Sequence, residues 1–240
     1  MSNQLKEEKL KDFFDEGGVG TRQYSFLNWR FSPHDSIEVQ FCNLAEGYFE
    51  VANNLIEQCL DNNNDRKADI WIFPILFNIV HAVELYLKAI NSMYPIYFKL
   101  KGFVLEELPD SKIEGDHDIK QMCQTAISKV RNDSNRDPDL YKALKEVLQF
   151  INIIYKYSDD VAFTRYPLPK DAKSDLNKEY FYVSHQNITI NMVELHKWVK
   201  KISNNFYNIT GFLIDMIDEL NGYRNEVIDD VVPHEEYYYE

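Results

Sequence analysis

Apolar residues in the first quarter of the chain recur at alternating spacings of three and four, the period of a helix packed on one side. The series Ile37, Phe41, Leu44, Tyr48, Val51, Leu55 and Cys59 predicts one long amphipathic helix over residues 35–60, with that stripe turned to a core. Asp35 and Glu38 have the spacing of a capping box at its start. A polar turn over 61–66 follows. Asp69 is then expected to cap a second helix reaching about residue 92, with Pro74 near its first turn, where proline is tolerated. This segment is apolar nearly all round and should be central.

Residues 94–115 are irregular and contain Pro95, Gly102 and Pro109. A third helix is expected over 118–130, burying Ile119, Met122, Ala126 and Val130. A fourth over 139–157 buries Leu140, Leu144, Val147, Leu148, Ile151 and Ile154. Two prolines and many polar residues make 159–178 a long loop, and 180–190 is aromatic and β-branched enough for a short strand or hairpin. Asn191 with Glu194 opens a last helix to about 220, with Val193, Leu195, Val199, Ile202, Phe206, Ile209, Leu213, Met216 and Leu220 on its apolar face. The pattern predicts an all-α helical bundle of about five helices with loop insertions and room for a β-hairpin. It has a polar arm (1–34), a helical domain (35–220) and an acidic, tyrosine-rich tail (221–240).

Length and charge narrow the function. A chain of 240 residues fits one large domain. The net charge of −13 repels phosphate backbones, so RNA binding would need a local basic patch, and no long basic run occurs in the sequence. Cys42, Cys59 and Cys123 lack metal-ligand spacing and are expected to be buried, apolar and reduced. The polar N-terminus is unlike a secretory signal, and the longest apolar run, 70–80, is about half of what a bilayer requires. The expected location is the cytoplasm, with no membrane partner. No cofactor or metal is expected, because phosphate-binding glycine loops, nucleophile elbows and ligand-spaced Cys/His pairs are missing from the sequence.

Within the second helix, His81, Glu84 and Lys88 fall on one face. They are candidates for a polar site inside the bundle, with imidazole for proton transfer and Lys88 for an anionic group. They equally describe a buried Glu84–Lys88 pair beside a hydrogen-bonded histidine, the heavier reading because charge pairs in bundles are common. His117 stands between Asp116 and Asp118 at the entrance of the third helix, where either aspartate can cap. Arg165, in the segment Phe163-Thr164-Arg165-Tyr166-Pro167, could clamp a phosphate or carboxylate, or pair with Asp159, Asp160 or Glu84. The tail tyrosines 237–239 could anchor a partner, although disordered acidic sequence explains them better.

Three elements in order, His81-x-x-Glu84-Leu85-x-Leu87-Lys88, then Asp116-His117-Asp118-Ile119, then Arg165-Tyr166-Pro167, resemble a prokaryotic HEPN-type helical domain over about residues 35–220. The resemblance implies a bundle associated with RNA or nucleotides in a bacterial defence or toxin–antitoxin type system, and pairing as a homodimer. Ribonucleases of that superfamily carry an arginine and a histidine with four to six residues between them. That pair is missing here: Arg30 and His34 have only three residues between them, and Arg165 is followed by no histidine until His185. RNA cleavage would therefore use a non-standard set drawn from His81, Glu84, Lys88, His117 and Arg165. The alternative is a non-catalytic subunit that binds a nucleotide, or a partner protein through its acidic surface or tail.

Overall fold

The computed structural model describes residues 35–102, 117–133, 137–156 and 188–231, with residues 25 and 164 singly. Five helices account for nearly all of them: α1 (Ile37–Asp61), α2 (Ala68–Lys101), α3 (Ile119–Asn132), α4 (Pro138–Ile154) and α5 (Met192–Val231). They form an all-α bundle with no strand among the described residues. Helix α2 is central, touching α1, α3 and α5; α3 packs on α4, and α5 closes against α1 and α4. Rings of Phe49, Tyr86 and Phe206 from α1, α2 and α5 meet in the core, with Tyr86 and Phe206 stacked at 4.9 Å. Each such buried side chain stabilises the bundle by about 1.5–3 kcal/mol.

The start of α1 differs from the expected capping box. Ser36 is the cap, its Oγ accepting from the Val39 N–H. Glu38 is buried instead and accepts a 2.6 Å hydrogen bond from Ser92 Oγ of α2. The expected core stripe is also displaced. The face that α1 buries carries Glu38, Ala45, Phe49, Ala52, Ile56 and Cys59, and only Cys59 belongs to both sets. Small Ala45 and Ala52 let the backbones approach while Phe49 fills the space between. Ile37, Leu44 and Val51 remain 45%, 41% and 47% exposed.

Asp69 does not cap α2. Asn63 Oδ1 accepts from the Ala68 N–H, while Asp69 accepts from Arg66 Nε at 2.8 Å. Arg66 turns the chain with φ 57°, in the left-handed region. Rather than ending near 92, α2 continues through Pro95 to Lys101. A proline strands the carbonyl four residues earlier, here that of Asn91, and Lys129 Nζ of α3 donates to it at 2.9 Å. Asp133, the C-cap of α3, accepts from Tyr94 and Lys101 and ties down the extension. By length and composition α2 would suffice to cross a membrane, but more than half of its most apolar stretch is buried inside the bundle.

The remaining caps follow simple chemistry. Asp118 Oδ1 accepts from the N–H groups of Lys120 and Gln121, Asp137 from those of Asp139 and Leu140, and Asn191 from those of Val193 and Glu194. Each satisfies donors a helix start leaves open. Helix α5 runs past the expected end at Leu220 to Val231. Residues 1–24, 26–34, 103–116, 134–136, 157–163, 165–187 and 232–240 lie outside the described residues, and with them most of the expected irregular segment after α2 and of the expected hairpin; 188–190 have no regular structure.

Candidate functional site

Spacing on α2 puts His81, Glu84 and Lys88 on one side of the helix, and the Asp118 cap fixes the start of α3 beside them. Glu84 is the hub. Its side chain is 4% exposed, and its Oε1 accepts from Lys88 Nζ at 2.9 Å and faces His117 Nδ1 at 2.8 Å. Burial alone would raise the Glu84 carboxyl, but His81, Lys88 and His117 outweigh it and bring it from 4.5 down to about 2. It is therefore an ionised carboxylate and only accepts hydrogen bonds. His117 must then present Nδ1–H to it, which directs Nε2 away from Glu84. The His117 side chain is 74% exposed, so a surface imidazole is oriented by a buried anion.

His81 is held more loosely. Its Nδ1 is 3.9 Å from Glu84 Oε2, too far for a hydrogen bond. The atom is buried and finds no hydrogen-bond partner among the described residues. Two aromatic rings fix the imidazole: Phe77 stacks on it at 5.8 Å and Tyr48 of α1 meets it edge-on at 4.5 Å. Lys88 is buried behind Glu84, 9% exposed, so it acts by holding the carboxylate. The structure thus brings together His81, Glu84, Lys88 and His117. Arg165 and Asp116 lie outside the described residues.

A second carboxylate, Glu57 of α1, also pairs with a histidine and a lysine of α5, His196 at 3.2 Å and Lys200 at 3.1 Å, but it is half-exposed rather than buried. Burial pushes the Cys42 and Cys123 thiols up to about 12, far from nucleophilic thiolates. Among the described residues, no three His, Cys, Asp or Glu side chains converge as a metal site would require.

The linear sequence conceals one feature. Lys142, Lys145, Gln149, Asn152 and Lys156 are exposed at alternating spacings of three and four along α4, and line one shallow groove. Glu146 lines this groove too, but Asn205 and Lys201 of α5 engage its carboxylate at 2.9 and 3.1 Å and hold it below the usual range. At the far end of α4, the Tyr155 hydroxyl donates to Asp118 Oδ1, and Lys120 Nζ lies over the Tyr155 ring. The C-terminal end of α4 therefore sits beside the α3 entrance that carries His117. A local basic surface exists, built by helical spacing rather than by a run; reading lysines at that period would have found it. The Tyr48 and Phe77 partners of His81 were equally absent from the sequence reading, because aromatic positions at helical spacing look alike whether they fill a core or flank a site.

No family model, curated protein or solved structure matches this chain.

Proposed function

We propose that this chain acts on RNA in a bacterial defence or toxin–antitoxin type setting, cleaving it with His117 as the proton-transfer group. The observation that carries the reading is the 2.8 Å contact between a buried, ionised Glu84 and a largely exposed His117. A carboxylate at Nδ1 fixes the tautomer and makes Nε2 the basic atom, the arrangement general-base catalysis requires. In the step this supports, Nε2 takes the proton of a ribose 2′-hydroxyl and the 2′-oxygen attacks the adjacent phosphorus. The bond from phosphorus to the 5′-oxygen breaks, leaving a 2′,3′-cyclic phosphate, and the departing oxygen takes a proton from water. Lys88 and Glu84 are positioning residues. The lysines of α4 supply the positive surface for a phosphate backbone. The resemblance to HEPN-type bundles favours the same substrate class.

The test is incubation of wild type and a His117→Ala variant with total and transfer RNA, with and without EDTA. Fragmentation by wild type and not by the variant is expected. Cyclic phosphate ends should appear on the fragments, and their absence would refute the step.

A second reading has an observation of its own. Lys88 and His117 share one oxygen of Glu84, which also fits a structural staple between α2 and the α3 entrance in a non-catalytic subunit. In that case neither protein cuts RNA, and His117→Ala changes only the melting temperature.

A further inference from the structure

We infer that Lys120 is the cation that meets the scissile phosphate beside His117, an assignment that rests on the RNA-cleaving reading above. Attack by a 2′-oxygen builds negative charge on the non-bridging oxygens at phosphorus, and a base alone leaves that charge unmet. Lys88 cannot meet it, being 9% exposed and bonded to Glu84. Lys129, the other lysine of α3, donates to the Asn91 carbonyl. Lys120 differs from both. Among the described residues no carboxylate lies within ion-pair distance of its Nζ, which rests 5.9 Å from the centroid of the Tyr155 ring. A ring attracts an ammonium without cancelling its charge. Asp118 Oδ1 accepts from the Lys120 N–H at 3.0 Å, so the backbone is fixed while the long side chain can turn.

The position is a poor one for folding. Lys120 stands in the first turn of α3, which holds no acidic residue, and there the helix dipole disfavours a cation and favours an anion. An ammonium placed against the dipole gains most from an anion that a ligand brings. His117 and Lys120 lie three positions apart, on either side of the Asp118 cap. His117 is anchored to α2 through Glu84, and Lys120 reaches α4 through Tyr155, so the two groups flank the α3 entrance. Asp118, the acid between them, has its Oδ1 engaged by the N–H groups of Lys120 and Gln121 and by the Tyr155 hydroxyl, which blunts its repulsion of a phosphate. In the proposed step His117 Nε2 takes the 2′-proton from one flank. From the other, Lys120 Nζ donates a hydrogen bond to a non-bridging oxygen and keeps its proton throughout. That bond strengthens as phosphorus gains its fifth ligand, so the lysine acts on kcat more than on KM.

Steady-state cleavage of a short RNA oligonucleotide by the full chain tests this. Lys120→Met is expected to lower kcat about 100-fold with little change in KM, and Lys120→Arg, which keeps the charge, to retain most of the rate. Sulfur in place of one non-bridging oxygen of the scissile phosphate gives a readout that a purely structural role would not move. Sulfur accepts a hydrogen bond weakly, so it should slow wild type yet add little to the loss in Lys120→Met. A wild type that cuts, with a kcat that survives Lys120→Met or a sulfur effect equal in both proteins, overturns the role of Lys120 and leaves the cleavage reading standing. A wild type that cuts nothing overturns both.

Discussion

His117 Nδ1 lies 2.8 Å from Glu84 Oε1, across 33 positions of sequence. One partner is almost wholly buried and the other largely exposed. Helix α2 provides the fixed anion and the α3 entrance provides the imidazole held against it. The Asp118 cap sets where His117 emerges, so a helix-start signal and the residue proposed for proton transfer are adjacent. Everything proposed for the site follows from that asymmetry.

Glu84 gives the bundle a specific acid sensitivity. Its carboxyl falls from 4.5 to about 2 in the folded state, so folding favours the ionised form. The contribution is fully present above about pH 5 and disappears as pH falls from there toward 2. It amounts to at most about 3 kcal/mol. Urea unfolding of wild type should lose stability over that window, and Glu84→Gln should flatten this part of the profile. An unchanged acid limb in Glu84→Gln would contradict the assignment.

Lys88 tests the pair from the other side. Lys88→Met fits the volume but leaves a buried carboxylate short of its strongest cation, which should cost about 3–5 kcal/mol. Adding Glu84→Gln removes the unpaired charge and should recover much of that loss. A double-mutant cycle by chemical denaturation measures the coupling; additive effects would mean that the two residues do not interact.

The helical period was legible in the sequence because it is local: each of the five helices was anticipated near its observed place. The misreadings arose where a distant residue decided the outcome. Pro95 signals a helix end, and the reason α2 continues lies in the Lys129 bond to the Asn91 carbonyl, 38 positions apart, and in the Asp133 contacts to Tyr94 and Lys101. On α1 two stripes with the same three-and-four spacing lie side by side, and the choice between them depends on α2 and α5. The residues of the Glu84 cluster on α2 could be grouped from spacing alone. The approach of His117 to the same oxygen required the packing of α3, and the basic side of α4 was obscured because its lysines are separated by apolar residues.

The continuation of α2 makes its own prediction. Lys129→Met would leave the Asn91 carbonyl without the donor that replaces the missing Pro95 N–H. An unmet buried acceptor costs about 1–3 kcal/mol. Amide exchange should accelerate over 92–101 in this variant while α1 stays protected. Replacing Pro95 with alanine in the same background restores a backbone N–H and should recover protection. No recovery would show that Lys129 acts elsewhere.

The groove on α4 can be separated from the chemistry at His117. If RNA follows its lysines, the logarithm of the binding constant of His117→Ala, the variant expected not to cut, should fall linearly with the logarithm of salt concentration. Exchanging Lys142 and Lys145 for glutamine in that background removes two positive charges without adding acid. The slope should then fall by about 0.7 for each lysine that contacts a phosphate of single-stranded RNA. Lys197→Gln offers a control: it lies on α5 and is already paired with Glu194 at 2.7 Å, so its loss should alter the slope much less. Fluorescence anisotropy with a labelled oligonucleotide at several salt concentrations reads both. Equal slopes for all three proteins would place the RNA elsewhere and leave His117 without a phosphate track leading to it.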